Sequence, residues 1–176
     1  MPETLIHPPK TMLEVWESLP EGTLCELINN KLIMSPAPLI IHQQVLNQIN
    51  IEISIFLKKN PIGKIFISPL DVYFSDKDVF QPDIMFIGNS NLDIIGKKGL
   101  LGAPNMVIEI LSPSNSLLDY EEKKSVYEQF GVAEYFIVDP NTKSVDSFYS
   151  KDNKYEKQKD CVGKIESTIL GTKILF

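Results

Sequence analysis

Pro82-Asp83-Ile84-Met85-Phe86-Ile87 and, further on, Met106-Val107-Ile108-Glu109-Ile110-Leu111 are short apolar runs, each with a single carboxylate set inside it. Neither alternates apolar with polar residues, so each reads as a strand buried on both faces. An ionised carboxylate there is costly unless something compensates its charge. One cause accounts for both residues: the two acids converge on a divalent cation. Hard oxygen ligands suit Mg2+ or Mn2+, and the backbone carbonyl of Ile110 is a candidate third oxygen. On this reading Asp83 and Glu109 are metal ligands, and the chain is a metal-dependent enzyme.

The rest of the sequence supplies a frame for these strands. Residues 10–19 predict a short helix, with Met12, Leu13, Val15, Trp16 and Leu19 on one face and Pro20-Glu21-Gly22 as its stop. Leu24–Ile28 and Lys31–Met34 flank Asn29-Asn30, a two-residue hairpin turn. A long helix is expected over 39–58, its apolar stripe formed by Ile41, Val45, Ile49, Ile53 and Phe56. Strands follow at 64–68 and 70–74, and Ser75–Asp78 reads as the turn into the Asp83 strand. The glycine-rich stretch 88–104 reads as a mobile loop. The Glu109 strand ends at Ser112–Asn115, and a helix over 117–130 stops at Gly131. Tyr135–Val138 is another buried strand, and 144–149 with 154–159 alternate as a ribbon about Lys151-Asp152-Asn153. The pattern is α+β, a mostly antiparallel sheet with helices packed on it.

The helix over 117–130 contributes a third candidate. On a helical wheel Tyr120, Val126, Tyr127 and Phe130 form the apolar face, with Lys123 at its centre, whereas Lys124 falls on the polar side with Glu121 and Glu128. A lysine in an apolar stripe either snorkels past its neighbours or carries its ammonium to the two carboxylates. In phosphodiester hydrolysis such a lysine orients the attacking water or stabilises the developing charge.

Composition limits the partners. The 176 residues fit one domain with a sizeable core. No apolar run approaches membrane-helix length, and the first residues lack the basic start and apolar core of a signal peptide. Cys25 and Cys161 stand far apart without metal-ligand spacing, as expected of reduced thiols in a cytoplasmic protein. Net charge is −6 and all 17 basic residues are lysines, with Lys58-Lys59, Lys97-Lys98 and Lys123-Lys124 the dense positive spots. That excludes tight, arginine-driven DNA recognition and leaves weak or locally focused binding.

Taken together, several motifs resemble the Uma2 family of restriction-endonuclease-like proteins. They are Pro82-Asp83, Val107 through Ser114, Asp119 with Lys123 and Tyr127, and Gly131 through Pro140. Cys25-Glu26-Leu27-Ile28, Ser35–Pro38 and His42-Gln43 match as well. The resemblance covers residues 10–175. It implies the PD-(D/E)xK nuclease fold, a central mixed sheet flanked by helices, here with an N-terminal helix-hairpin and a C-terminal ribbon. It carries Asp83 over as the motif aspartate and Glu109 as the second acid. The motif lysine is expected two residues after Glu109, but that position is Leu111. The resemblance moves it to the next helix, at Lys123, the residue that the helical wheel singles out.

The expectation is therefore a cytoplasmic Mg2+- or Mn2+-dependent endonuclease acting on DNA, with Asp83, Glu109 and Lys123 catalytic. Glu26 is a further candidate acid near the metal or a charge on an exposed hairpin face. His42 is a base, a partner of a ligating carboxylate, or a packing residue. Asp71, Asp119 and Asp139 read as turn, cap and loop residues. One rival is a nuclease fold that binds without cutting. A second is a structural or toxin-like partner protein whose acids sit in salt bridges. Enzymes that cut both strands often work as two-fold dimers, and the strands of 144–159 offer an edge for such pairing.

Overall fold

The computed structural model describes residues 8–112 and 119–176, with side chains from 8–112 and 121–176. Helix α1 (Met12–Glu17) starts at Thr11, whose hydroxyl accepts from the Glu14 amide. Strands β1 (Cys25–Ile28) and β2 (Lys31–Met34) form the expected hairpin. Asn29 and Asn30 have φ of 49° and 64°, the left-handed pair that a two-residue turn demands and asparagine tolerates. Helix α2 spans Ile40–Lys59. Its buried face holds His42, Val45, Leu46, Ile49 and Ile53, while Ile41 is exposed. The expected stripe thus begins one residue late, at His42.

Strands β3 (Gly63–Ile67), β4 (Val72–Ser75), β5 (Asp78–Phe80), β6 (Ile84–Gly88) and β7 (Met106–Ile110) follow. The stretch read as a turn into the Asp83 strand is a tight hairpin joining β4 to β5, a strand too short to carry an alternation signal. Residues 88–104, expected as a mobile loop, are pinned. Asn89–Ile94 wind as a 3-10 helix, and Leu100 is buried. The Leu100 amide donates to the Asp71 carbonyl at 2.8 Å, and the Leu100 carbonyl accepts from the Tyr73 amide at 2.8 Å. Gly99 permits this approach, since a Cβ there would lie 2.4 Å from the Asp71 carbonyl oxygen.

Asp119–Lys123 form one wide π turn that leads into α3 (Lys124–Phe130). The start of the expected 117–130 helix and the Tyr120 side chain lie outside the described residues. Gly131 caps α3 with φ of 84°. Strands β8 (Glu134–Val138), β9 (Ser144–Lys151) and β10 (Lys154–Lys157) complete the expected ribbon. Three strands go beyond what the periodicity suggested: β11 (Cys161–Val162), which pairs with β9, and β12 (Lys164–Ser167) and β13 (Thr172–Leu175), which pair with each other. Each is too short for a pattern to emerge.

The central sheet runs β10-β9-β8-β7-β6-β3, with β11 beside β9. Among the described residues of this sheet only the β7–β8 pairing is parallel, which makes the sheet mixed. A second sheet, β2-β1-β5-β4, lies apart from it, and β12–β13 form a separate hairpin. Strand parity divides the core. Ile84, Phe86, Met106, Ile108, Phe136 and Val138 pack beneath α2 and the C-terminal hairpin. Met85, Ile87, Val107, Tyr135 and Ile137 face the other way, toward Tyr127 of α3 and the small sheet. In the small sheet Cys25 and Leu27 pack with Trp16, whereas Ile28 joins the cluster between the two sheets. Glu26 shares Ile28's parity, and Glu109 shares that of Val107. Both acids are thereby aimed into the layer between the sheets.

Candidate active site

At one end of β6 and β7 these parities bring together side chains far apart in sequence. Glu109, in the last turn of the pleat of β7, is 3% exposed. Its Oε1 accepts from Lys123 Nζ at 3.1 Å and from the Tyr127 hydroxyl at 2.6 Å, and its Oε2 lies 3.4 Å from the Asp83 amide. Asp83 stands immediately before β6, where Pro82 keeps the chain extended. Asp83 Oδ2 accepts from the Ile110 amide at 2.8 Å and contacts His42 Nε2 at 3.0 Å. Because a carboxylate only accepts, Nε2 is the protonated nitrogen of His42 in this contact. Asp83 Oδ1 has a long contact of 3.5 Å with Ser68 Oγ.

The sequence-predicted trio Asp83, Glu109 and Lys123 thus lines one cavity of about 480 Å3, together with Glu26 and His42. Lys123 is 3% exposed; its ammonium does not snorkel but lies 3.0 Å from Glu26 Oε1 and 3.1 Å from Glu109 Oε1. The wide turn ahead of α3 sets its phase, and the Phe80 ring lies 5.9 Å from the charge. Lys124, read as a polar-side residue, instead lays its ammonium 4.3 Å from the centre of the Phe148 ring.

Glu26 is not a charge on an exposed face. It is 3% exposed, and its Oε1 also accepts from the Gln81 amide at 2.7 Å. The signal for this was present: Leu24-Cys25-Glu26-Leu27-Ile28 is a third apolar run with one carboxylate inside it. His42 is likewise buried, at 6%. Sequence reasoning missed Gln81, whose side-chain amide donates to Asp71 Oδ1 at 2.8 Å and so ties the small sheet to the residue before Pro82. Asp71 is pulled upward in pKa by burial, against the Gln81 hydrogen bond. It also missed the use of Tyr127's hydroxyl. Burial, and then the Glu109 charge, push that phenol well above its ordinary value, so it remains a donor. Asp139 accepts from the Asn141 amide at 2.8 Å, as a turn residue does.

The donor set can be tested against a divalent ion. Among the described residues no group of three or more His, Cys, Asp or Glu side chains is arranged to hold a metal. Two neighbouring carboxylates remain, Asp83 and Glu109. That set suits Mg2+, which commonly takes one or two carboxylates and completes its octahedron with water and substrate oxygens. It does not suit zinc, which needs nitrogen or sulfur ligands in a closed tetrahedron.

Comparison with known proteins gives this geometry a lineage. A family model described as "Uma2: Putative restriction endonuclease" matches residues 12–168. The chain belongs to the Uma2 family. A solved structure described as a "putative nuclease belonging to DUF820", from Anabaena variabilis ATCC 29413, is similar in fold, with a TM-score of 0.64 at 25% identity. The match covers 85% of this chain and 84% of that one. A comparison with curated proteins gives no match. For this Uma2 chain, family and fold together suggest a nuclease of the restriction-endonuclease type. Among the described residues no helix is long and apolar enough to cross a membrane.

Proposed function

We propose that the chain is a Mg2+- or Mn2+-dependent endonuclease acting on DNA in the cytoplasm, built as one domain, with Asp83, Glu109 and Lys123 as its reacting groups. The observation that carries this is a charge imbalance. Glu26, Asp83 and Glu109 line one cavity with Lys123 as the lone lysine among the described lining residues. His42 adds a second cation only when protonated at both ring nitrogens. A dication between Asp83 and Glu109 would offset the excess negative charge.

The roles follow from position. Asp83 and Glu109 would hold the ion, and the Ile110 carbonyl leaves β7 on the same edge as the Ile110 amide that meets Asp83. Such an ion, when bound, would acidify a bound water and neutralise charge on the scissile phosphate. Lys123 lies between two carboxylates and lines the cavity, where it can orient that water or meet charge on the phosphate oxygens. Tyr127 fixes Glu109 through one oxygen, leaving the rotation of the carboxylate defined. His42 holds Asp83 in the same way.

Calorimetric titration with Mn2+ tests the assignment. Wild-type protein should bind saturably, and Asp83→Asn or Glu109→Gln should weaken binding by about 10- to 100-fold, alongside loss of DNA cleavage. Unchanged binding and cleavage in both variants would refute it. A second reading, a nuclease fold that binds without cutting, draws on the engagement of Lys123 by both Glu26 and Glu109 and on the absence of arginine. It expects saturable Mn2+ binding with no cleavage of any DNA.

A further inference from the structure

We infer that the cleft accepts an unpaired nucleic-acid strand, one nucleotide of which descends to the acids, and does not accept continuous duplex. The inference rests on the nuclease reading above and narrows its substrate.

Three observations support it. The first is depth. Glu109 and Lys123 are each 3% exposed at the floor of a cavity of about 480 Å3. That volume is within the range of small-ligand pockets, of the order of 300–1,000 Å3. A phosphodiester held in a stacked duplex cannot be lowered into such a pocket without unstacking its nucleotide. An already unpaired strand is spared most of that cost.

The second is an apolar part of the cavity wall. Pro36, Ala37, Pro38 and Leu39 line the cavity, and Leu39 and the adjoining Ile40 are 54% and 80% exposed. This apolar lip borders the same cavity that Asp83, Glu109 and Lys123 line. Isoleucine, leucine and proline at such a lip offer apolar surface against which the exposed face of an unpaired base can pack.

The third is charge. Duplex-binding proteins place half or more of their hydrogen bonds on phosphates and sugars, chiefly from lysine and arginine. Among the described residues lining this cavity the single lysine is Lys123, already committed to Glu26 and Glu109. The cleft thus offers base contacts and few clamps for a duplex backbone.

The test uses full-length protein and one oligonucleotide sequence, presented as single-stranded DNA, single-stranded RNA and duplex DNA. Fluorescence anisotropy at fixed salt with Mg2+ should give at least about tenfold tighter binding of a single strand than of duplex. The two single-stranded arms decide which sugar is preferred. The Leu39→Ser/Ile40→Ser double variant should lose about tenfold in single-strand affinity through lost apolar contact and keep its Mn2+ binding. Serine is favourable at position 39, the N-cap of α2, where leucine makes no side-chain cap bond.

Equal or tighter duplex binding overturns the inference, as does an unchanged single-strand affinity in the double variant. So does a dimer that dissociates in that variant while neither protein binds nucleic acid, because the lip would then be a contact between copies. Failure of the nuclease reading is separate: it would appear as absent Mn2+ binding and absent cleavage, whatever the strand preference.

Discussion

Replacing Lys123 by methionine removes the one ammonium that Glu26 and Glu109 share and leaves the length of the side chain in place. Both carboxylates are 3% exposed, and each lies about one hydrogen-bond length from Nζ, at 3.0 and 3.1 Å. Removing one partner from a buried ion pair costs about 3–5 kcal/mol, because the charge left behind is still desolvated. That compares with a typical total stability of about 5–15 kcal/mol. At about 2–4 °C per kcal/mol for a chain of this size, the midpoint should fall by about 6–20 °C. Urea unfolding followed by circular dichroism, in metal-free buffer at neutral pH, measures the loss directly. Mn2+ at about one hundred times its dissociation constant should restore about 2.7 kcal/mol by mass action if it binds only the folded state. A variant within about 1 kcal/mol of wild type without metal would refute the premise that Lys123 neutralises buried charge.

Three further outcomes follow from the same geometry. Tyr127→Phe deletes the 2.6 Å hydrogen bond to Glu109 and should cost about 1.5–3 kcal/mol in urea unfolding, the range for a bond to a charged group. Gly131→Ala forces an L side chain into φ of 84° where a Cβ would touch nothing within 4 Å, so the cost is backbone strain alone, about 1–2 kcal/mol by thermal unfolding. Tyr127, Tyr149 and Tyr155 are all raised chiefly by burial, Tyr149 to about 12. A phenol raised by folding contributes its full stability below the unfolded value, about 10, and loses it as pH climbs through the folded value. Tyrosinate absorbance should therefore rise together with loss of near-ultraviolet dichroism above about pH 10; ionisation of all six tyrosines before any unfolding would contradict their burial.

Much of this architecture was legible because burial leaves a strong mark on composition. The runs around Asp83 and Glu109 lack alternation since both faces of β6 and β7 are covered, one by α2 and one by α3 and the small sheet. The Asn29-Asn30 turn announced itself because few residues tolerate two left-handed conformations in succession. Lys123 was found by helical phase, although the turn that carries it is wider than an α-helix. What escaped notice had weaker local signatures. Strands β5, β11, β12 and β13 span two to four residues, no more than two full periods of alternation. The pinning of Leu100 against Asp71 and Tyr73 is a tertiary contact to which no local pattern points. Ile41 read as core and His42 as a helix-start residue, because a one-residue shift in helical phase exchanges their faces. Glu26 was ranked below Asp83 and Glu109 although its run has the same form. The pattern of a hairpin does not reveal which of its faces a second sheet will cover.

Glu26 belongs to one sheet, Glu109 to another, and Lys123 to the connection between two parallel strands of the latter. The ammonium therefore acts as a rivet across a seam. If the hairpin that bears Glu26 lifted away, the central sheet could keep its ladder of hydrogen bonds while the rivet lost half its hold. Competence at this site is thus a property of the assembled seam, and it can fail well before the molecule as a whole comes apart.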